Sequence, residues 1–139
     1  MSDYQVHKAA GIIIKDRRVL AVRSRHEEVF VLPGGKVEPG ETARQATIRE
    51  LKEELRLDVQ EYEVKDFGTF DGVATGGRVK GQKIRLDMFM IDTAADPVAD
   101  NEIAELRWIT TTEASSGQKL SPVFVREVLP RLKNQGLID

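Results

Sequence analysis

Three carboxylates, Glu50, Glu53 and Glu54, crowd into the short stretch TIRELKEEL. From Thr42 to Leu55 the chain has no Gly or Pro and is dense in good helix formers, and Thr42 is a suitable N-cap, so the spacing predicts a helix. With Ala43 at zero, Glu50, Glu54 and Glu53 fall at about 340°, 20° and 280° on the helical wheel. Leu51, Leu55 and Ile48 form a separate apolar stripe at about 80–140°, and Gln45, Lys52 and Arg56 take the remaining arc near 180–220°. One face therefore carries three carboxylates one turn apart. Like charges at this spacing destabilise a helix, and anions near its C-terminal end oppose the macrodipole. A hard divalent cation reverses that balance, because Mg²⁺ takes oxygen ligands and is commonly held by carboxylates together with substrate phosphates. Arg49 stands four residues before Glu53, where an ion pair can fix the carboxylate.

The flanking elements must position this face. Val6–Lys15 is β-branched and reads as a strand, followed by the polar turn Asp16-Arg17-Arg18, a strand at Val19–Arg25 and a short strand at Val29–Leu32 that stops at Pro33-Gly34-Gly35. After the helix, Val59–Thr69, Lys83–Asp92 and Glu105–Thr110 read as strands. The Gly-rich, partly basic stretch DGVATGGRVKGQK lies between the first two. Ser121-Pro122 opens a second helix that runs to about Asn134. Strands surrounding two helices imply an α/β layered fold with a mixed sheet, and no repeat or linker divides residues 1–139, so a single domain is expected.

The chain has 139 residues, 21 Lys and Arg against 23 Asp and Glu, a formal net charge of −2 and no Cys. Near-neutrality argues against a broad nucleic-acid footprint or a polybasic membrane surface. Absent cysteine removes disulfides, thiolate nucleophiles and thiolate metal sites. His7 and His26 are the only histidines and stand apart, which disfavours a His-based centre. No apolar run reaches the ~20 residues of a membrane helix, and MSDYQVHKAA lacks the order of a secretory signal, so a cytoplasmic protein is expected.

The stretch Gly35-KVEPG-Glu41-TARQATI-Arg49-Glu50-Leu51-Lys52-Glu53-Glu54-Leu55-Arg56-Leu57 resembles the Nudix hydrolase signature, G-x5-E-x7-R-E-U-x-E-E-x-G-U with U a bulky aliphatic. All positions match except the second Gly, which is Arg56 here. A Gly there could serve as a left-handed helix cap, a conformation that costs another residue roughly 1–2 kcal/mol. VLAVRSRHEEVFVLPGGKVEPGET and NEIAELRWIT extend the resemblance over most of the chain. It implies a MutT-like α/β/α sandwich around a mixed β-sheet, and cleavage of a nucleoside diphosphate linked to another group, using Mg²⁺ or Mn²⁺ and water.

By the same resemblance, Glu53 and Glu54 are the principal metal ligands, and Glu50 is a ligand or the base. The Gly34 carbonyl is a main-chain ligand, and Glu41 and Arg49 orient the acidic face. Glu102 is an additional ligand or base, with Glu105 its rival. Arg23 and Gly35 are candidate substrate-binding residues; Arg78, Lys80 and Lys83 could close over an anion, and Trp108 belongs to the core. Markers of ADP-ribose, dinucleoside polyphosphate and coenzyme A hydrolases are missing, with Asp71–Thr75 (DGVAT) the relevant window for the first two. A small nucleoside triphosphate is therefore the expected substrate, yielding monophosphate and pyrophosphate. The alternatives are RNA 5′ ends, ADP-ribose or sugar nucleotides, and a nucleotide-sensing domain without catalysis. Many relatives look dimeric, which makes a homodimer an open alternative.

Overall fold

The computed structural model describes residues 4–74 and 78–139, so Thr75 of the DGVAT window and part of the Gly-rich stretch lie outside the described residues. The strands are β1 (Val6–Ile12), β2 (Ile14–Lys15), β3 (Arg18–Ser24), β4 (Gly34–Lys36), β5 (Val64–Val73), β6 (Lys83–Ile91) and β7 (Ile103–Ile109). The helices are α1 (Ala43–Leu55), α2 (Thr111–Ser115) and α3 (Leu129–Asn134), the last continuing a π turn over Phe124–Val128.

One sheet has the order β4-β1-β6-β5 and a second has the order β2-β3-β7. β1 and β6 run parallel while the other pairs are antiparallel, giving the expected mixed architecture. Alternation within the strands divides the apolar residues between two cores. Ala9, Leu20, Val22 and Phe89 pack with Leu51 and Leu55 of α1. Their neighbours Ala10, Val19, Ala21 and Met88 pack with Phe124, Val128, Leu129 and Leu132 at the C-terminal helix. The sheet layer is thus buried on both faces, with a helix closing each. No helix of the described residues is long and apolar enough to cross a membrane.

Helix α1 begins where its chemistry predicts. The Thr42 hydroxyl accepts from the Gln45 N–H at 3.1 Å, and the Gln45 side chain accepts from the Thr42 N–H at 2.9 Å, a reciprocal capping box. The helix ends at Arg56, which takes the left-handed conformation (φ 55°) without being glycine. The Arg56 N–H donates to Lys52 O at 3.1 Å and Leu57 N–H to Leu51 O at 3.3 Å, closing the last turn. The Arg56 guanidinium also bonds Asp100 at 3.0 Å. Left-handed strain outweighs this exposed ion pair and the entropy lost by glycine, so Arg56→Gly should raise stability by up to about 1 kcal/mol. Thermal denaturation checks this, and a lower Tm would show that the Asp100 pair dominates.

Four sequence expectations need correction. Val29–Leu32 forms no ladder strand but makes isolated bridges, Val31 to Val22 and Phe30 to Leu120. The strand lies instead at Gly34–Lys36, where turn residues were expected, paired with Lys8–Ala10. A Cβ on Gly34 would strike the Ala9 carbonyl oxygen, so this pairing requires glycine. The strand expected from Val59 begins at Val64, after a 3₁₀ turn at Glu61–Glu63. The expected C-terminal helix contains a π turn in which Leu129 N–H bonds Phe124 O. Pro130 follows immediately; it has no N–H and clashes with the carbonyl four residues back, a known cause of such shifts. Finally, α2 was not anticipated, although Thr110 and Glu113 cap it reciprocally.

Candidate active site

The acidic face of α1 meets the sheet at β4. Glu50 lies over Gly35, where an added Cβ would approach the Glu50 carboxyl carbon to 2.6 Å. The Gly34 N–H donates to Glu54 Oε1 at 3.1 Å. Two consecutive glycines therefore let two carboxylates settle against the backbone of an edge strand. Glu50 is 15% and Glu53 47% exposed, so the acidic face ranges from half-buried to solvated.

Arg49 organises this face. Its Nε donates to Glu41 Oε2 at 2.8 Å and one terminal nitrogen to Glu41 Oε1 at 3.0 Å, a two-pronged pair. The other terminal nitrogen donates to Glu50 Oε1 at 2.9 Å and lies 3.5 Å from Glu53. The guanidinium also reaches the Lys36 carbonyl at 3.0 Å, tying the helix to β4. Arg49 holds Glu41 below the usual carboxylate range, and Glu41 in turn raises the arginine further. Because lysine cannot reproduce this planar fork, Arg49→Lys should lower kcat by about 10–100-fold with a smaller change in KM. Steady-state kinetics test this, and a kcat within twofold of wild type would remove Arg49 from the positioning role.

Burial raises the Glu54 carboxyl to about 8, assisted by the neighbouring Glu50. Burial also raises Glu50, against the pull of Arg49. Without a cation, then, Glu54 keeps its proton to higher pH than an ordinary carboxyl. Among the described residues no three acidic or imidazole side chains form a closed metal cage. The donor set nonetheless fits Mg²⁺ or Mn²⁺: Glu50 and Glu54 are half-buried carboxylates with Arg49 on Glu50 as their one cationic partner among the described residues, Glu53 stands beside them, and such ions normally keep water and phosphate as further ligands.

A cleft of about 710 Å³ opens on the other face of β1 and β6 and reaches Gly34, Gly35 and Glu54. Its floor includes Ile84, Leu86 and Met88, and its charged lining includes Lys8, Lys36 and Arg78. An apolar floor beside cations and carboxylates suits a flat ring bearing phosphates.

The remaining expected residues are placed differently. Arg23 donates to Glu105 at 3.4 Å and to the Glu27 carbonyl at 3.1 Å, so its guanidinium is engaged within the protein rather than lining the cleft. Glu105 is held by Arg107 at 2.6 Å, and this pairing keeps it ionised. Glu102 is exposed on the turn before β7. Asp100 N–H donates to Glu54 O at 2.9 Å, which docks that segment, two residues before Glu102, on the end of α1. Arg78 lines the cleft, Lys80 and Lys83 do not, and Trp108 packs partly buried against the α1 core. Lys8 was not anticipated. Its only sequence signal was a charge within an otherwise apolar strand, VHKAAGI.

Comparison with known proteins agrees with this geometry. A family model described as NUDIX domain matches residues 5–132. A Mycobacterium tuberculosis protein named "Putative 8-oxo-dGTP diphosphatase 2" is 38% identical over 108 residues, covering 75% of this chain and 72% of that protein. The Escherichia coli CTP pyrophosphohydrolase is 32% identical over 116 residues, covering 78% of each chain. The solution structure of the E. coli ORF135 protein superposes with a TM-score of 0.71 at 27% identity, covering 94% of this chain and 91% of that one.

Proposed function

The chain belongs to the Nudix family of hydrolases, and we propose that it is a divalent-metal-dependent pyrophosphohydrolase that splits a nucleoside triphosphate into monophosphate and pyrophosphate. The observation that carries this reading is the pair Glu50–Glu54, two carboxylates with Arg49 on Glu50 as their one cationic partner among the described residues, packed on Gly34 and Gly35 at the edge of a cleft with an apolar floor. In this reading Glu50, Glu53 and Glu54 hold Mg²⁺ or Mn²⁺, with the Gly34 carbonyl and Glu102 as further ligands from outside the helix. The bound cation supplies charge neutralisation at the pyrophosphate and a water of lowered pKa.

The chain's own groups do the rest. Arg49 holds Glu50 and Glu41 in one orientation, and an ionised helix carboxylate takes the proton of the attacking water. No side-chain nucleophile is required, consistent with a chain lacking Cys. Two relatives named for triphosphates, 8-oxo-dGTP and CTP, support a free nucleoside triphosphate as the substrate class.

The test is a panel of nucleoside triphosphates including oxidised bases, ADP-ribose, NADH, sugar nucleotides, diadenosine polyphosphates and triphosphorylated RNA, each with Mg²⁺ or Mn²⁺. The expected result is monophosphate and pyrophosphate from a triphosphate, abolished by EDTA. Turnover that persists in EDTA, or preference for ADP-ribose or RNA, overturns the reading.

A further inference from the structure

Lys8 and Lys36 face each other across neighbouring antiparallel strands, β1 and β4. Both line the cleft that reaches Glu54. Like charges in directly opposed positions destabilise a strand pair, so sheet stability would not select them. Neither ammonium group has a hydrogen-bond or ion-pair partner among the described residues. Lys8 is also half-buried, and burial together with Lys36 pulls its pKa below the usual lysine value. Glu27 and Glu50 exert an attractive field on it, yet neither pairs with it. Two adjacent, unpaired cations at the wall of a cavity are relieved by an anion entering that cavity.

Charge selects among the phosphates of the substrate. A phosphate bridging two groups carries one negative charge, whereas a terminal phosphate carries nearly two at neutral pH, its second pKa lying near 6. On the footing of the hydrolytic reading above, we propose that Lys8 and Lys36 form a clamp for the terminal phosphate of a nucleoside triphosphate, and that Lys8 thereby discriminates triphosphates from sugar-linked diphosphates. Lys36 sits at the exposed mouth and Lys8 deeper on the floor, so Lys8 contributes the more strongly desolvated contact. Arg78, which also lines the cleft, remains available for the other phosphates.

The experiment compares wild type, Lys8→Met and Lys8→Arg with Mg²⁺ present, after confirming equal thermal denaturation. Each is titrated calorimetrically with an α,β-methylene nucleoside triphosphate and with α,β-methylene ADP-ribose, neither of which can be cleaved at that bridge. Lys8→Met should weaken the triphosphate analogue about tenfold, the loss of one charged hydrogen bond, and the ADP-ribose analogue less than twofold. Lys8→Arg should stay within about threefold of wild type, because the charge persists. Equal weakening of both analogues, an unchanged triphosphate affinity in Lys8→Met, or no binding of either analogue to wild type each overturns the clamp. Failure of wild type to cleave triphosphates overturns the hydrolytic reading instead, and the binding data still report on Lys8.

Discussion

Glu53→Gln is expected to lower kcat on the preferred nucleotide by about 10³-fold or more, while the protein folds and melts as wild type does. The expectation rests on what the amide removes and what it keeps. Glu53 is 47% exposed and its nearest charged partner is Arg49 at 3.5 Å, so little folding energy depends on it. Its carboxylate is nevertheless the solvated member of the acidic face, free to take a cation or a water proton. General base or ligand losses of this kind span about 10²–10⁴-fold. The measurement is kcat at saturating Mg²⁺ beside a melting curve. A fully active Glu53→Gln protein would sink the metal-carboxylate mechanism.

Glu54→Gln carries the second large effect and separates stability from function. The folded-state carboxyl is raised to about 8 from 4.5, so its proton contributes stability that is fully present below pH 4.5 and is lost as pH rises through about 8. Metal-free wild type should therefore soften between pH 5 and 9. The amide keeps an oxygen for the Gly34 N–H and cannot ionise. At pH 9 the metal-free variant should melt about 3 °C or more above wild type, and at pH 5 the two should coincide. Activity should fall by about 10³-fold, because the substitution stabilises by removing the charge that the cation requires. Differential scanning calorimetry at both pH values, with and without Mg²⁺, measures this. A variant that melts lower at pH 9 would contradict the buried-charge account.

What could be read from the residues followed the range of the forces involved. Helix α1 was legible because its signals are local: the Thr42 cap, the unbroken run of helix formers and the sorted carboxylates. The two-faced sheet was legible as a class, from β-branched runs around helices, but not its register. The pairing of Gly34–Lys36 with β1 was hidden because glycines read as turns, whereas here they permit a close approach to Ala9. Arg23 reads as a substrate-binding residue; its actual partner, Glu105, is 82 residues away in the chain. Lys8 was passed over for the converse reason. A charge in an apolar strand reveals nothing until a neighbouring strand shows which cavity it faces.

The two cores described above divide the mutational freedom of the molecule. Leu86 and Met88 belong with the C-terminal helix, whereas Phe89 and Ile91 belong with α1, although all four sit on one strand. Alternate positions along β6 thus answer to different constraints: one set to packing against α1, the other to the C-terminal helix and the cleft. The two faces communicate most directly at Gly34-Gly35, where cleft lining and carboxylate support coincide. Under the proposed function, substitutions on one side of the sheet would exchange one nucleotide for another and leave the bond-breaking apparatus intact.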